Sequence, residues 1–521
     1  MLTHSTRRWL AGLGVAGAFV AASASPAAAA PAAEFDLYFQ DVTVAADSAG
    51  VIRGAAVFGS EPAVLNEVTV RYDYRSLASK ITLAGDVGND CSADGDAVLV
   101  CTEHSPLVVD ENFGGFPGGV VIAPTDKAAT GDAGALKISL QTAGKEVANH
   151  TSQIRIAEGV DIAAGPDTTV KATPGGAFQA PLTVLNVGKT DVLGVVAFFD
   201  TDYGIRTEER FNNCYYDEDF LLACEFDGIP AGEGGTATLN YELAKDTYAP
   251  GSQFSGIWLM TPTDFEELNG VRKAAGAGAT HRGTGKALAL TPVPGKRGAR
   301  ALQTDVDPTN NQSSVTVEVT GKNGADLAAV GATFTGAKGA VVTAALGFHN
   351  NGPATLDHLR SESDVTFVDV TVPSGTTAVE VPFECAPRTG KDAEWGEAGT
   401  PGAAEYRCYP GPFAPAGEEL TGEFKFRIDK VIANAAGTVK VNVPCECEGG
   451  FYADLKPAND TAKILVNAAD GGNGGGQGGD GGALPITGQS TGLIAGLGAL
   501  LLAAGVGGYL VAKRRRTRFV A

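Results

Sequence analysis

Gly175–Gly188 (GGAFQAPLTVLNVG) and Gly339–Gly352 (GAVVTAALGFHNNG) are two stretches built on one plan. In both, apolar and polar residues alternate, and the run ends at an asparagine followed closely by glycine. Alternation with a period of two predicts a strand with one buried face, and Asn-Gly sequences favour hairpin turns. The two stretches therefore predict β structure and mark two copies of a repeated unit.

Two further features recur in the same order after these strands. The middle of each copy holds a pair of cysteines, and a Pro-Ala-Gly-Glu turn at 230–233 or 415–418 follows the second cysteine. Each copy then closes on an asparagine-led alternating strand. A weaker third copy precedes both. Three features recurring in one order predict an internal repeat. The predicted β-sandwich domains are residues 34–158, 159–320 and 321–468.

This layout resembles the Ig-like domains of bacterial surface proteins, including the DUF11 and CARDB types. The resemblance implies an all-β chain of tandem Ig-like β-sandwich domains, with about seven strands each and a cysteine-linked hairpin before a Pro-Gly turn. The implied disulfides join Cys91 to Cys101, Cys214 to Cys224, and Cys385 to Cys408.

The remaining two cysteines stand apart from this pattern. Cys445 and Cys447 are separated by one residue, and in an extended strand their side chains would share one face. Three states are open for them: a strained local disulfide, free thiols, or a bond to another chain.

The C-terminus combines three elements in a fixed order. The pentapeptide Leu484-Pro485-Ile486-Thr487-Gly488 precedes an apolar run at 493–512, and a basic tail closes the chain. Twenty helical residues reach about 30 Å, the thickness of a bilayer core. Residues 484–521 resemble the sorting signal of LPxTG-type, sortase-anchored cell-wall surface proteins of Gram-positive bacteria, of an actinobacterial kind. The alternative is an ordinary membrane anchor preceded by a chance match.

The resemblance implies the chemistry performed on this tail. A sortase would cleave between Thr487 and Gly488 and attach the Thr487 carbonyl to peptidoglycan. The C-terminal transmembrane helix would then be only a transient membrane insertion. The glycine-rich segment 469–483 is predicted to be a flexible linker that gives the sortase access.

The N-terminus supplies a matching export signal. Arg7 and Arg8 precede an apolar stretch, and small residues follow as far as Ala33. This pattern predicts a signal peptide over residues 1–33, cut by signal peptidase at a bond within 28–33. The general secretory and twin-arginine routes are both open. The expected location is therefore secreted and extracellular, at the cell wall.

Charge narrows the classes of partner. The signal and the sorting tail hold seven of the 39 Lys and Arg residues and none of the 60 Asp and Glu residues. The part between them therefore carries 32 cations against 60 anions. A surface this acidic repels nucleic acid, so a nucleic-acid partner is not expected. An extracellular glycan or protein remains the expected ligand class.

The sequence contains no recognisable motif for catalysis or for cofactor binding. The five histidines after the signal show no metal-site spacing, and no cysteine has a histidine partner in a nucleophile motif. Asp305, Asp307, Asn310 and Asn311 offer oxygen donors for calcium, but the same turn also starts the closing strand. The prediction is a structural or adhesin-like display protein, not an enzyme, without cofactor or metal. The alternative is a surface-attached hydrolase or a calcium-dependent ligand-binding protein.

Two further stretches are candidate binding elements. Tyr215-Tyr216-Asp217-Glu218-Asp219-Phe220 could present aromatic rings to a glycan or peptide, or form a partly buried hairpin. Residues 274–298 are rich in Gly, Ala, Lys and Arg and are interpreted as a long surface loop, with a binding or proteolytic element as the alternative. No long stretch with sustained helical periodicity is expected between the two ends.

Overall fold

The computed structural model describes residues 34–60, 63–86, 89–109, 115–274, 279–291, 302–389, 394–443, 451 and 453–467. The predicted signal peptide, the Gly-rich linker, the sorting pentapeptide, its apolar helix, and Cys445 and Cys447 lie outside these residues. Among the described residues, no helix has the length and apolar character needed to cross a membrane.

The chain is almost entirely β, in three consecutive groups of strands. The first group comprises β1 Phe35–Tyr38, β2 Val42–Ala45, β3 Val51–Arg53, β4 Ala56–Gly59, β5 Ala63–Leu65, β6 Val68–Asp73, β7 Ile81–Gly85, β8 Asp90–Ala93, β9 Val98–Thr102, β10 Leu107–Val109, β11 Val120–Pro124, β12 Ala133–Thr142 and β13 Lys145–Val160.

The second group contains the one α-helix found in the described part of the chain. It comprises β14 Ile162–Ala164, β15 Thr168–Ala172, β16 Ala177–Asn186, β17 Val192–Thr201, β18 Ile205–Arg206, β19 Cys214–Asp217, β20 Phe220–Ile229, β21 Gly234–Leu243, β22 Ala249–Met260, α1 Pro262–Ala274, β23 His281–Arg282, β24 Gln303–Asp305 and β25 Gln312–Asn323.

The third group follows without a long connection. It comprises β26 Leu327–Val330, β27 Ala332–Phe334, β28 Val341–Asn350, β29 Leu356–Asp357, β30 Val368–Thr371, β31 Thr376–Glu380, β32 Cys385–Thr389, β33 Glu394–Trp395, β34 Glu405–Cys408, β35 Phe413–Ala414, β36 Glu419–Ile428, β37 Ala435–Lys440 and β38 Thr461–Val466. Short 3₁₀ turns lie at Arg75–Leu77 and Pro457–Asn459.

The second and third groups are each a sandwich of a smaller sheet on a larger one, whereas in the first group three small sheets, β1-β4, β10-β5 and β3-β11-β7, accompany the larger sheet β2-β13-β12-β6-β9-β8. In the second group a four-stranded sheet, β14-β16-β21-β18, faces a seven-stranded sheet, β15-β25-β22-β17-β20-β19-β23. In the third group β26-β28-β36-β31 faces β27-β38-β37-β30-β34-β32-β33. Leu182, Leu239 and Ala197, from strands of both sheets, fill one apolar core in the second group. The prediction of an all-β chain of tandem β-sandwiches is confirmed.

The closing strand has the same partner in every group. β13 pairs in parallel with β2, β25 with β15, and β38 with β27, whereas most other pairs are antiparallel. The asparagine-led strands at the ends of the sequence repeats are these three strands. They place each group's last strand beside one of its first strands, which closes the sandwich.

The asparagine turns quoted at the outset have one structure in both copies. Asn186 is 1% exposed, and its Nδ2 donates to the carbonyl oxygens of Thr190 and Ile229, each at 2.9 Å. Asn350 is fully buried, and its Nδ2 donates to Ala354 and Ala414 at 2.9 and 3.1 Å. Each asparagine therefore ties its turn to the end of a distant strand.

The structure adds one helix of 13 residues that the sequence patterns did not predict. Helix α1 begins directly after Thr261, whose hydroxyl accepts a hydrogen bond from the Asp264 amide and donates to the Asp264 carboxylate. This is a capped helix start with proline at the first position.

The segment 274–298 is more than a surface loop in its described part. His281–Arg282 forms an edge strand, and Leu288 lies in the core with 7% of its surface exposed.

Candidate binding surfaces

Three disulfides staple equivalent hairpins at the edges of the larger sheets. Cys91 bonds to Cys101, Cys214 to Cys224, and Cys385 to Cys408. In each hairpin the two cysteines face each other in register, with Cα atoms 3.9–4.0 Å apart. The predicted pairing within each repeat is confirmed. Because both ends of every bond lie in adjacent strands, each disulfide closes a short loop and restricts the unfolded chain.

The aromatic hairpin of the second sandwich does not offer free rings. Tyr216 is fully buried, and its hydroxyl accepts from the Phe211 amide at 2.8 Å and donates to the Glu209 carbonyl at 3.0 Å. Tyr215 lies beneath Arg282, whose guanidinium carbon is 4.5 Å from the ring centroid. Both rings therefore serve the hairpin's own packing, which favours the structural interpretation of this stretch.

The acidic residues of this hairpin are also engaged. Asp219 accepts a hydrogen bond from Arg210 at 2.8 Å. Asp217 lies 3.5 Å from Nη2 of Arg272, a helix residue that is only 5% exposed. Burial lowers the pKa of Arg272, while the Asp217 carboxylate partly offsets that effect. The hairpin is therefore joined to helix α1.

The loop considered for calcium is a turn whose first aspartate is held by two backbone amides, one from the turn and one from β14. One oxygen of Asp305 accepts from the Ile162 amide at 2.7 Å and the other from the Asp307 amide at 2.8 Å. Burial raises the pKa of Asp305 to about 7, and these amide hydrogen bonds only partly counter it. Across the residues that the structure describes, no group of three His, Cys, Asp or Glu side chains is arranged to hold a metal ion.

The same turn recurs in the third sandwich. One oxygen of Asp454 accepts from the Leu327 amide and the other from the Lys456 amide, each at 2.7 Å. Leu327 and Ile162 each begin the first strand of a sandwich. The aspartates at these positions therefore have a structural role in starting the sandwich, and this explains their position without a metal.

The larger sheet of the second sandwich is covered on its outer side. Alternate residues of β17 point to opposite faces: Ala197 joins the sandwich core, whereas Val196 and Phe198 pack beneath α1. Phe265 and Leu268 of the helix complete this second apolar layer. A ligand therefore has no access to the centre of this face.

Among the residues that the structure describes, no helix covers the corresponding sheets of the outer sandwiches. In the first sandwich, strands β6, β12 and β13 line a polar depression of about 370 Å³. Charged, amide and hydroxyl side chains surround it: Arg71, Asp73, Lys137, Ser139, Gln141, Glu146, Asn149, His150 and Thr151. Such a surface has hydrogen-bonding groups but no aromatic platform.

The open face of the third sandwich carries stacked aromatic and arginine side chains. The Arg407 guanidinium lies between Trp395 and Phe367, at 4.7 and 5.0 Å from their ring centroids. Asp369 holds it with two hydrogen bonds of 2.7 and 2.8 Å. The Tyr409 ring meets Phe367 edge-on at 5.6 Å. Phe367 is 6% exposed and Tyr409 is 36% exposed, so this stack presents only part of its aromatic surface to a glycan or protein ligand.

An arginine joins the second and third sandwiches. Arg360 donates to Asp202 at 2.8 Å and to Asp200 at 3.3 Å, and it lies 4.3 Å above the Phe254 ring. Burial raises the pKa of Asp202 to about 6, although Arg360 favours its ionised form. Thr355 reinforces the joint by donating to the Asp246 carboxylate at 2.5 Å.

Comparisons with known proteins do not identify the chain. No protein-family model and no curated protein matches it. Among solved structures, it is similar to a Dpr2 Ig1-Ig2 complex with DIP-Theta Ig1-Ig3, at 7% identity over 83% of this chain and 99% of that chain, with a TM-score of 0.19.

It is also similar to the seventh ScaB type I cohesin from Pseudobacteroides cellulosolvens, at 9% identity over 24% of this chain and 93% of that chain, with a TM-score of 0.17. The calcium binding domain CBD12 of CALX1.1 has 12% identity over 54% of this chain and 98% of that chain, with a TM-score of 0.15. These likenesses are too weak to assign a function.

The sequence identified some of these features and missed others. It indicated the cysteine hairpins, but not the covering of one sheet by α1, the Arg407 stack or the Arg360 joint. The signal for the helix was present in Thr261-Pro262-Thr263-Asp264, a capping sequence with proline at the first helical position. No comparable local signal marks Arg407 or Arg360, because their partners lie far away in the chain.

Proposed function

We propose that this protein is an extracellular surface protein, attached covalently to peptidoglycan by a sortase, that displays its sandwiches for binding rather than catalysis. The sequence of residues 484–521 supports the attachment, because a pentapeptide, an apolar run and a basic tail occur in the required order. Thr487 would become the C-terminus linked to the wall. Residues 1–33 would be removed by signal peptidase.

The described part of the chain is consistent with this location. Three disulfides fit an oxidising environment outside the cell. The joint at Arg360 and the staples would keep the sandwiches ordered. The proposed domains remain residues 34–158, 159–320 and 321–468.

Two sheet faces that α1 does not cover support a role in display for binding. The outer sheet of the first sandwich is polar, and that of the third carries the stack around Arg407. These surfaces suit an extracellular glycan or protein ligand. They support the proposed structural or adhesin-like role.

The attachment is tested by changing Thr487 to Ala and comparing muramidase-released wall material with membrane and medium. The variant should move from the wall fraction to the membrane or medium, because the acyl group that the sortase transfers belongs to Thr487. Thr491→Ala is the matched control, since Thr491 also precedes a glycine but lies outside the pentapeptide. Wall linkage that survives Thr487→Ala would rule out the proposed attachment.

A further inference from the structure

Helix α1 lies between the first and second sandwiches and contacts both. Phe265 on one side packs against the outer sheet of the second sandwich. Glu267 on another side meets β2 of the first sandwich, where the Thr43 hydroxyl donates to its Oε1 at 2.6 Å. The two sandwiches are also joined by parallel pairing of β24 with the end of β13. The helix is thus part of the joint.

Glu267 is an unusual residue to find at such a joint. It is only 6% exposed, and Thr43 is fully buried. The second carboxylate oxygen, Oε2, is buried and has no hydrogen-bond partner. An ionised carboxylate with an unsatisfied buried oxygen is unfavourable, whereas a protonated carboxyl is neutral.

No neighbouring cation forms an ion pair with the Glu267 carboxylate in the described residues. Arg53 on β3 and Arg155 on β13 favour the ionised form from a distance, and neither forms an ion pair with Glu267 in the described residues. Arg155 is paired with Asp41. Asp264, on the helix itself, opposes ionisation. Tyr38, on β1, is the remaining titratable group facing this site.

We propose that Glu267 is a proton-operated lock: when protonated it holds helix α1 against β2 of the first sandwich, and when ionised it loosens this contact. Proton binding at Glu267 thus controls how tightly the first two sandwiches pack together. Nothing in this inference depends on the wall attachment.

The sign of the effect follows from burial. Burial raises the pKa of Glu267 from 4.5 to about 7, so the closed joint binds a proton more tightly than an open joint in which Glu267 is solvated. The equilibrium between packed and released α1 therefore favours the packed state most strongly below pH about 4.5. This preference weakens by up to about tenfold per pH unit as the pH rises towards 7, and it does not weaken further above that.

The test uses the chain from residue 34 to Thr487 and measures amide hydrogen exchange of the peptide that contains α1. Exchange is expressed as protection, the ratio of intrinsic to observed rate at each pH, between pH 5 and pH 8.5. Wild-type protection should fall as the pH rises. Glu267→Gln keeps the shape but cannot ionise, so its protection should stay high throughout.

Two further variants make the test specific. Glu266→Gln changes the exposed neighbour on the same helix and should behave as wild type. Thr43→Val removes the hydrogen bond that favours the ionised form, and it should move the midpoint of the fall to higher pH.

Asp305 is the competing sensor, because its pKa is also raised to about 7. The proposal is overturned if Glu267→Gln retains the wild-type pH dependence, or if Asp305→Asn alone abolishes it. It is also overturned if Thr43→Val leaves the midpoint in place, an outcome that can be read even if Glu267→Gln folds poorly.

Discussion

Replacing Asn350 with Ala should destabilise the third sandwich strongly. The side chain is fully buried and donates to the carbonyl oxygens of Ala354 and Ala414, while its Oδ1 accepts from the Gly352 amide at 3.1 Å. Ala354 and Ala414 are fully buried too. Alanine would leave these backbone groups without partners in a site where water has little access.

The magnitude follows from the number of groups left unsatisfied. Each buried polar group that loses its partner costs about 1 to 3 kcal/mol, and local rearrangement recovers part of this. We therefore expect the free energy of unfolding of the third sandwich to fall by about 3 kcal/mol, at the upper end of common single substitutions. The neighbouring Asn351 is exposed and its side chain makes no hydrogen bond in the described residues, so Asn351→Ala should change stability by less than about 0.5 kcal/mol.

The two tryptophans that follow the signal allow the second and third sandwiches to be observed separately. Of the three tryptophans, Trp9 lies in the signal, Trp258 in the second sandwich and Trp395 in the third. In a Trp258→Phe background, denaturant unfolding followed by Trp395 fluorescence reports the third sandwich. The reasoning is refuted if Asn350→Ala and Asn351→Ala have equal effects. Asn186→Ala, read through Trp258, repeats the test in the second sandwich.

Two further predictions concern buried polar groups. The Tyr241 hydroxyl is buried without a hydrogen-bond partner, so Tyr241→Phe should stabilise the second sandwich by about 1 kcal/mol. Tyr216→Phe loses two hydrogen bonds and should destabilise it by about 1 kcal/mol. Changes of the same sign for both variants, in unfolding followed by Trp258 fluorescence, would contradict this reasoning. Arg360→Met should separate the melting of the second and third sandwiches in calorimetry, more at pH 7.5 than at pH 5. The pKa of Asp202 beside Arg360 is about 6, so the Arg360–Asp202 ion pair that the variant loses is present at pH 7.5, whereas Asp202 is mostly protonated at pH 5 even with Arg360 in place. Arg388→Met is the control, since the Arg388–Glu405 pair is exposed; a similar loss there would remove the special role of Arg360.

The repeat plan could be read from the sequence because its signals are local. Alternation in β16 and β28 has a period of two, and both strands end on the buried asparagines Asn186 and Asn350. The cysteine pairs were equally readable, since a hairpin brings residues ten positions apart into register. Strand periodicity and turn residues act over a few residues, and this is why they predict a sandwich.

The same local signals left two surfaces with two interpretations each. Tyr215 and Tyr216 suited either an aromatic platform or a partly buried hairpin, and the structure favours the hairpin, because Arg282 covers one ring and the core buries the other. Asp305 suited either a calcium ligand or a turn that starts a strand, and both of its carboxylate oxygens accept hydrogen bonds from backbone amides. In each case the deciding partner comes from a different strand or turn, so the local pattern could not reveal it.

Taken alone, the sequence determined the β class, the repeats, the cysteine hairpins and the predicted processing signals at the two ends, because these depend on neighbouring residues. Only the tertiary structure decided that α1 covers one sheet, that Arg360 joins two aspartates about 160 positions away, and that Glu267 is buried against Thr43. Burial and charge depend on which distant segments meet, and that is settled when the sandwiches pack together.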